Sequence, residues 1–498
     1  MKLLRVMLCA VLGLGLLIGS GAAALYFVVF APVSTVGKLD FDRPLKIPRL
    51  AASHVDPDGT RVFHLTARAG TTELLPGTRS KTWGFNGSYL GPTLRAERGQ
   101  KVRVEVTNRL GETTTVHWHG MHIPARFDGG PHQPIETGHT WRPTWRIDQP
   151  AATLWYHPHP HGETEDHINR GLAGMFLIDD PTSPVADRLP HQYGIDDIPV
   201  IVQDKSISSD GDLGSADLGD DLVVNGTPGP YLDVATENVR LRLLNASARR
   251  VYDFGLADGR AFTMIGTGGG LLHHAARMHR VQLSPGERAD VVVQMTPGER
   301  ITLRSYPPHL GIDPIAARFD GGQDRFDVLQ LRAAAHLDPS PVIPQHLAAA
   351  PDLDVHHAKV RTFELGGRTI NDKKMDMARI DETVQLGTTE VWQVTNSAGE
   401  YHNFHVHDVQ FQVLSVDGKK PGPALSGWKD TIYMPPDRTV RLAMRFTDYA
   451  DPDSPYMFHC HLLPHEDRGM MGQFVVVRQG QSAKSPHGGD HSMSGMHH

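Results

Sequence analysis

Cysteine is almost missing from this chain: of two residues in 498, Cys9 lies in an N-terminal apolar run, which leaves Cys460 as the single thiol of the folded part. A disulfide framework within one mature chain is therefore excluded. A cationic excess is missing as well, since 49 Lys and Arg face 56 Asp and Glu for a formal net charge of −7. With no basic field to neutralise a phosphate backbone, nucleic acid is excluded as a partner. Multi-span membrane architecture and general disorder are excluded by a hydrophobic content of 39%, which is ordinary for globular domains once the 50 Gly are added. Amphipathic helical stretches are few.

What is abundant is histidine, 30 residues of it, and imidazole is the commonest neutral metal ligand at physiological pH. Metal chemistry is the first reading. The length exceeds a single core, which stops growing near about 250–300 residues, so about three domains are expected.

Lys2 and Arg5 precede an uncharged run from Val6 to Gly37 that contains Ala22-Ala23-Ala24, a pattern of export with a peptidase site. The run continues through Leu25 to Phe30 and is long enough to span a bilayer uncut, so residues 1–37 are expected to be a signal peptide or an N-terminal membrane anchor. Either way the positive N-terminal flank puts the rest of the chain outside the inner membrane, in the periplasm or another extracytoplasmic space. Cys9 lies inside the run rather than after it, which argues against a lipoprotein anchor.

One β-pattern recurs three times. An alternating strand ends in Asn at Val102–Asn108, Val239–Asn245 and Val391–Asn396, and alternation of this kind reads as half-buried strand. Nine and eleven residues later the first copy has His117 and His119, the third has His405 and His407, and the second has Phe254 and Leu256. A further His pair follows Trp155-Tyr156 as His157 and His159, and Met457-Phe458 as His459 and His461; the middle copy offers Arg304-Ser305-Tyr306 there. Short strands between Gly and Pro turns predict an all-β chain of Greek-key sandwiches or barrels. The expected units are 45–182, 188–336 as a ligand-free spacer, an extended Pro-rich linker at 337–354, 355–480, and a disordered His- and Met-rich tail at 481–498.

Residues i and i+2 of a strand share a face, so each His-x-His presents two imidazoles side by side. Four pairs in two matching repeats predict one shared site where the first and third units meet. Around the thiol the chain reads His459-Cys460-His461, then His465 and Met470. Two imidazoles, a thiolate and a weak axial thioether make a blue copper site, which His402 would complete, with Met471 the next axial candidate. His273, His274, His356 and His357 are expected to be solvated loop residues.

At these residues the chain resembles the multicopper oxidases, the family of laccases, copper-efflux oxidases and bilirubin oxidases. Its four motifs, His-x-His-Gly, His-x-His, His-Pro-x-His-x-His and His-Cys-His-x3-His-x4-Met, are all present, and the likeness runs over nearly the whole chain after about residue 45. The resemblance implies three cupredoxin-like domains and four coppers per chain. It implies His402, Cys460, His465 and Met470 as type 1 ligands, His117 and His405 as type 2 ligands, and His119, His157, His159, His407, His459 and His461 as holders of the type 3 pair. Asn403 stands where the third motif usually has Pro, and Ala398 and Glu400 replace an Asp-x-Met of the efflux oxidases.

The implied reaction couples four one-electron oxidations of a small donor (cuprous ion, a phenol or Mn2+) to reduction of O2 to two waters. Four protons must then reach a cluster of neutral imidazoles, and Glu466 and Asp128 match acidic positions used as relays in relatives. A monomer is expected. The competing readings are a copper-sequestering or copper-delivery protein, suggested by the tail from His487 to His498, a copper nitrite reductase, which needs no third and fourth His pair, and a copper-free divisome relative, which would have lost ligands.

Overall fold

Three buried asparagines show what the repeated pattern builds. The computed structural model describes residues 32–215 and 217–484. Asn108 Nδ2 donates to the carbonyls of Glu112 and Ile135, Asn245 Nδ2 to those of Arg250 and Leu283, and Asn396 Nδ2 to those of Glu400 and Met434. Each Oδ1 also accepts from the N–H two residues on. A buried amide is expensive unless paired, and these three are paired identically, so the same turn leaves the same strand in each unit.

The Asn-ended strands Lys101–Arg109, Asn238–Asn245 and Thr389–Asn396 each lie parallel to an earlier one, Arg61–Thr72, Asp197–Lys205 and Lys359–Gly366. The facing sheet repeats a second parallel pair: Leu94–Glu97 with Gly174–Asp179, Pro230–Thr236 with Phe326–Asp338, and Glu382–Gln385 with Met471–Val477. Parallel neighbours cannot be joined by a hairpin, so the chain crosses between layers and each unit becomes two packed sheets. The sheets hold six and four strands in the first unit, six and seven in the middle, and five and five in the third. Alternation does the packing: Val102, Val104 and Val106 fill the first core, and Phe254 and Leu256 occupy the middle core at the positions where the outer units carry histidine.

Helices are short, at Thr164–Arg170, Pro314–Phe319 and Leu463–Glu466. Among the described residues no helix is long and apolar enough to cross a membrane. The expected signal or anchor up to residue 31, and the tail from residue 485, lie outside the described residues.

Two boundaries differ from the sequence expectation. Residues 33–44 pack on the middle unit, where Val33 N donates to Asp324 Oδ1, Gly37 N to Asp327 Oδ2, and Arg43–Pro44 pairs with Pro230–Thr236. The strand Phe326–Asp338 runs into the expected linker, and the connection beyond it is not free: Leu347 is buried in the middle core. His273 and His274 lie in the edge strand Gly270–Met278 rather than in a loop, whereas His356 and His357 are exposed in a turn. Leu90, Trp155 and Ile168, Ile201 and Leu244, and Leu463 share one apolar cluster, so the three units are packed on one another.

The first and third units are also joined by charge. His122 Nδ1 stands 2.8 Å from Asp408 Oδ1 and its Nε2 stands 3.0 Å from Asp448 Oδ2. Burial opposes the charged ring, but Asp408 and Asp448 outweigh it and lift the imidazole to about 9. An unfolded imidazole titrates near about 6.5, so this stabilisation is fully present below that pH and is lost as pH rises through 9. His122→Gln is expected to remove on the order of 2 kcal/mol of pH-dependent stability. Thermal melts from neutral to alkaline pH check it: the parent Tm should fall more steeply than the variant's, and parallel curves would reject the assignment.

Candidate metal centre

The strand His117–His119 and the strand His402–Val406 bring their histidines to the junction of the first and third units. His117 stacks on His407 and His119 stacks on His405, each pair with ring centroids 3.8 Å apart. The remaining four come from the ends of the neighbouring strands, Ala152–His157 and Asp451–His459, which pair with the first two in matching register. All eight rings are buried.

Their inward nitrogens sort into two triads and a pair. His157 Nε2 lies 3.3 Å from His119 Nδ1 and 3.4 Å from His461 Nε2. His459 Nε2 lies 3.2 Å from both His159 Nε2 and His407 Nε2. His117 Nε2 and His405 Nε2 are buried without a hydrogen-bond partner. Ligand atoms about 2.0–2.3 Å from one ion are roughly 3–4 Å apart, which is the spacing seen in the triads, and an orphaned buried lone pair calls for an electrophile. The residues fit metal.

The outward nitrogens complete the argument, because a ligating imidazole donates its other N–H to an oxygen. His117 Nδ1 donates to the Asp128 carbonyl, His157 Nδ1 to that of Pro158, and His405 Nδ1 to that of Asp430. His119 Nε2 meets Asp430 Oδ1 at 2.9 Å and His407 Nδ1 meets Asp128 Oδ2 at 2.7 Å. Glu466 spans two rings, its Oε1 3.2 Å from His159 Nδ1 and its Oε2 3.1 Å from His459 Nδ1. His159 Nδ1 has only this ion-pair contact and no hydrogen bond, and His461 Nδ1 is buried with no hydrogen-bond partner.

Burial pushes the His119, His157, His159 and His405 pKa values well below the usual imidazole range, and leaves His407 at about 3 and His461 at about 4. These six rings are neutral and their lone pairs free. For Asp128 and Glu466 burial acts upward, but His407 and His117 in one case and His159 and His459 in the other outweigh it and hold both acids ionised. Asp128 is held in place by the next residue: a Cβ on Gly129, at φ +80°, would fall 1.7 Å from the Val116 carbonyl oxygen, so only glycine lets this turn press on the His117 strand.

Beside the cluster stands the thiol. His402 Nδ1 and His465 Nδ1 are 3.1 Å apart, and Cys460 Sγ lies 3.6 Å and 3.8 Å from them. Burial pushes the thiol up to about 12 and the two imidazoles down to about 4 and about 2. Such a thiol ionises only against a bound cation, as in a thiolate metal site. Met470 is buried with Cys460 in one core, and its carbonyl accepts from Cys460 N, whereas Met471 heads the following strand.

Two contributors, Asp430 and Arg288, escape sequence reasoning, as does the role of a third, Asn403. Asp430 takes a bidentate pair of 2.7 Å contacts from Arg288 NH1 and NH2 while holding His119. Arg288 belongs to the middle unit, and a Cβ on Gly286 would lie 3.2 Å from both His119 and His461, so this unit is more than a spacer even though it supplies no ligand. Asn403 Oδ1 faces Cys460 Sγ and accepts from His461 N, while its Nδ2 donates to the Pro285 carbonyl; the departure from Pro ties the thiol loop to the middle unit.

Comparison with known proteins follows the same geometry. The family model described as multicopper oxidase matches residues 66–183, and a second model of that description matches residues 342–480. A multicopper oxidase of Staphylococcus haemolyticus is 35% identical over 86% of this chain and 92% of its own. The cell division protein FtsP of Escherichia coli is 35% identical over 87% of this chain and 93% of its own. The crystal structure of a multi-copper oxidase from Pediococcus acidilactici superposes with a TM-score of 0.80 at 36% identity, covering 89% of this chain and 93% of that one. The three sandwiches are cupredoxin-like, and with two buried His triads, a His pair and a His-Cys-His thiol site at their junction, the chain belongs to the multicopper oxidase family.

Proposed function

We propose that the protein is an exported oxidase that takes single electrons from a small donor at the Cys460 site and passes them to O2 at the eight-histidine cluster. The observation that carries this reading is that Cys460 lies between His459 and His461, which belong to different triads. His402, Cys460, His465 and Met470 would hold one ion there, His117 and His405 one further ion, and the triads His119, His157, His461 and His159, His407, His459 two more. Copper there would supply one-electron acceptance at the thiolate and a four-electron store for O2, giving O2 + 4 H+ + 4 electrons → 2 H2O. A complete ligand set separates this reading from a role in cell division without redox chemistry, and the closed triads separate it from nitrite reduction.

His465 Nε2 lies 3.7 Å from the half-exposed Glu400 carboxylate, the only acid in the described residues paired with that ring, and burial pushes Glu400 up. We take cuprous ion as the first substrate because a carboxylate at the entry edge favours a cation and the terminal sequence His487 to His498 is rich in His and Met. Oxygen uptake by the copper-loaded protein with cuprous ion, a phenol and Mn2+ decides among donors. No uptake with any of them would favour a role like that of the cell-division relative.

Cys460→Ser should lose the intense thiolate colour and donor-driven oxygen uptake while retaining metal on the histidine cluster, read by absorbance and metal analysis. A variant that stays blue rejects the thiol assignment. Met470→Leu should keep the colour and raise the reduction potential in a redox titration, because a weak axial ligand tunes such sites; an unchanged potential places the axial ligand elsewhere.

Protons are assigned to Glu466 and Asp128, whose carboxylate oxygens touch the outward Nδ1 atoms of one triad and lie at its edge. The amides in Glu466→Gln and Asp128→Asn still accept a hydrogen bond but do not exchange protons at this pH. Both variants should bind copper, bleach with reductant at the parent rate, and regain colour with O2 about a hundredfold more slowly. Recovery at the parent rate in stopped flow would assign proton delivery to another route.

A further inference from the structure

A third group of histidines lies away from this centre. The edge strand Gly270–Met278 pairs with Phe262–Thr267 in broken register: Met264 faces Ala276, yet Gly266 faces Leu271. Four residues, 272–275, therefore oppose the single Ile265, and the bulge lets consecutive residues His273 and His274, which a regular strand would point to opposite faces, bring their rings to 4.0 Å. The connection to the third unit crosses here. Ala275 N donates to the Gln345 carbonyl, Leu347 N to that of His273, and Gln345 Nε2 to that of Ala275, which sets His346 opposite His274 with ring centroids 4.3 Å apart.

One ligand nitrogen from each of the three rings lies within 4.8 Å of the other two. His273 Nδ1 is 2.6 Å from the Ala348 carbonyl, so it carries the proton and leaves Nε2 as the ligand, the outer-partner arrangement found around the buried triads. His274 and His346 are exposed and His273 is half-buried, so an ion has access, and the coordination sphere can be finished by water. No carboxylate is in the group. An all-imidazole set suits copper and zinc and rejects magnesium, calcium and manganese.

We propose that His273, His274 and His346 form an accessory site for one divalent transition ion, Cu2+ ahead of Zn2+, separate from the copper centres. Bound there, the ion fastens the connection between the middle and third units to the sheet edge. His346 also borders a cleft of about 590 Å³ lined by Pro150 and Thr182 of the first unit and Trp428 of the third, so the fastening lies at the place where all three units meet.

The test uses the full copper-loaded chain in which His487, His491, His497 and His498 are replaced by Ser, so that the terminal segment does not compete. Equilibrium dialysis against Cu2+, and separately against Zn2+, should show one equivalent beyond the resident coppers, and electron paramagnetic resonance should show nitrogen-coupled Cu2+. His346→Ala and His274→Gln should each weaken that equivalent by more than about 100-fold while the blue band and resident copper stay unchanged. Cleavage between residues 339 and 358 in limited proteolysis should slow with metal in the parent alone. Equal uptake by parent and variants, or no extra equivalent in the parent, would overturn the site without touching the oxidase reading.

Discussion

Everything in the centre depends on keeping eight imidazoles dry and aimed. A buried imidazole has one N–H to satisfy and one lone pair to place, and the wrong tautomer turns a ligand into a barrier. The protein settles the tautomers from outside, by putting a carbonyl or carboxylate oxygen behind seven of the eight rings. The two stacked pairs, His117 on His407 and His119 on His405, then work as a two-sided clasp in which neither unit owns a complete site.

Charge is distributed unevenly around that clasp. All three outward nitrogens of the His159, His407 and His459 triad face carboxylates, Glu466 twice and Asp128 once. The other triad sees one carboxylate, Asp430, already neutralised by Arg288, along with a carbonyl behind His157 and nothing behind His461. Better acceptors raise the basicity of the rings they hold, so the two triads are chemically unlike despite matching composition. The middle unit imposes part of this difference through Arg288.

The clustered histidines and the thiol beside them were legible in the sequence because their spacing is local. His-x-His is a period-two signal, His-Cys-His is contiguous, and the asparagine that ends each strand marks the same turn three times. The unit boundaries were less legible, since residues 33–44 and Leu347 attach to the middle unit through single strands and side chains that carry no pattern of their own. Asp430, Arg288 and the role of Asn403 were not legible at all. Arg288 and Asp430 are separated by 142 residues, and His119 and Asp430 by 311, so only the packed units bring them together. The same holds for His346: the bulge that turns His273 and His274 to one side is a register fault, which no composition or periodicity announces.

The clasp also bears on how the chain is made. His157 and His461 are 304 residues apart, and a polypeptide whose synthesis stops before His402 lacks at least one member of every shared ligand group. Closure of the triads thus requires both units: a chain with the first sandwich alone has no partner face to complete them. The joint between the first and last units therefore makes a closed ligand set a property of the whole chain, since neither unit carries it alone.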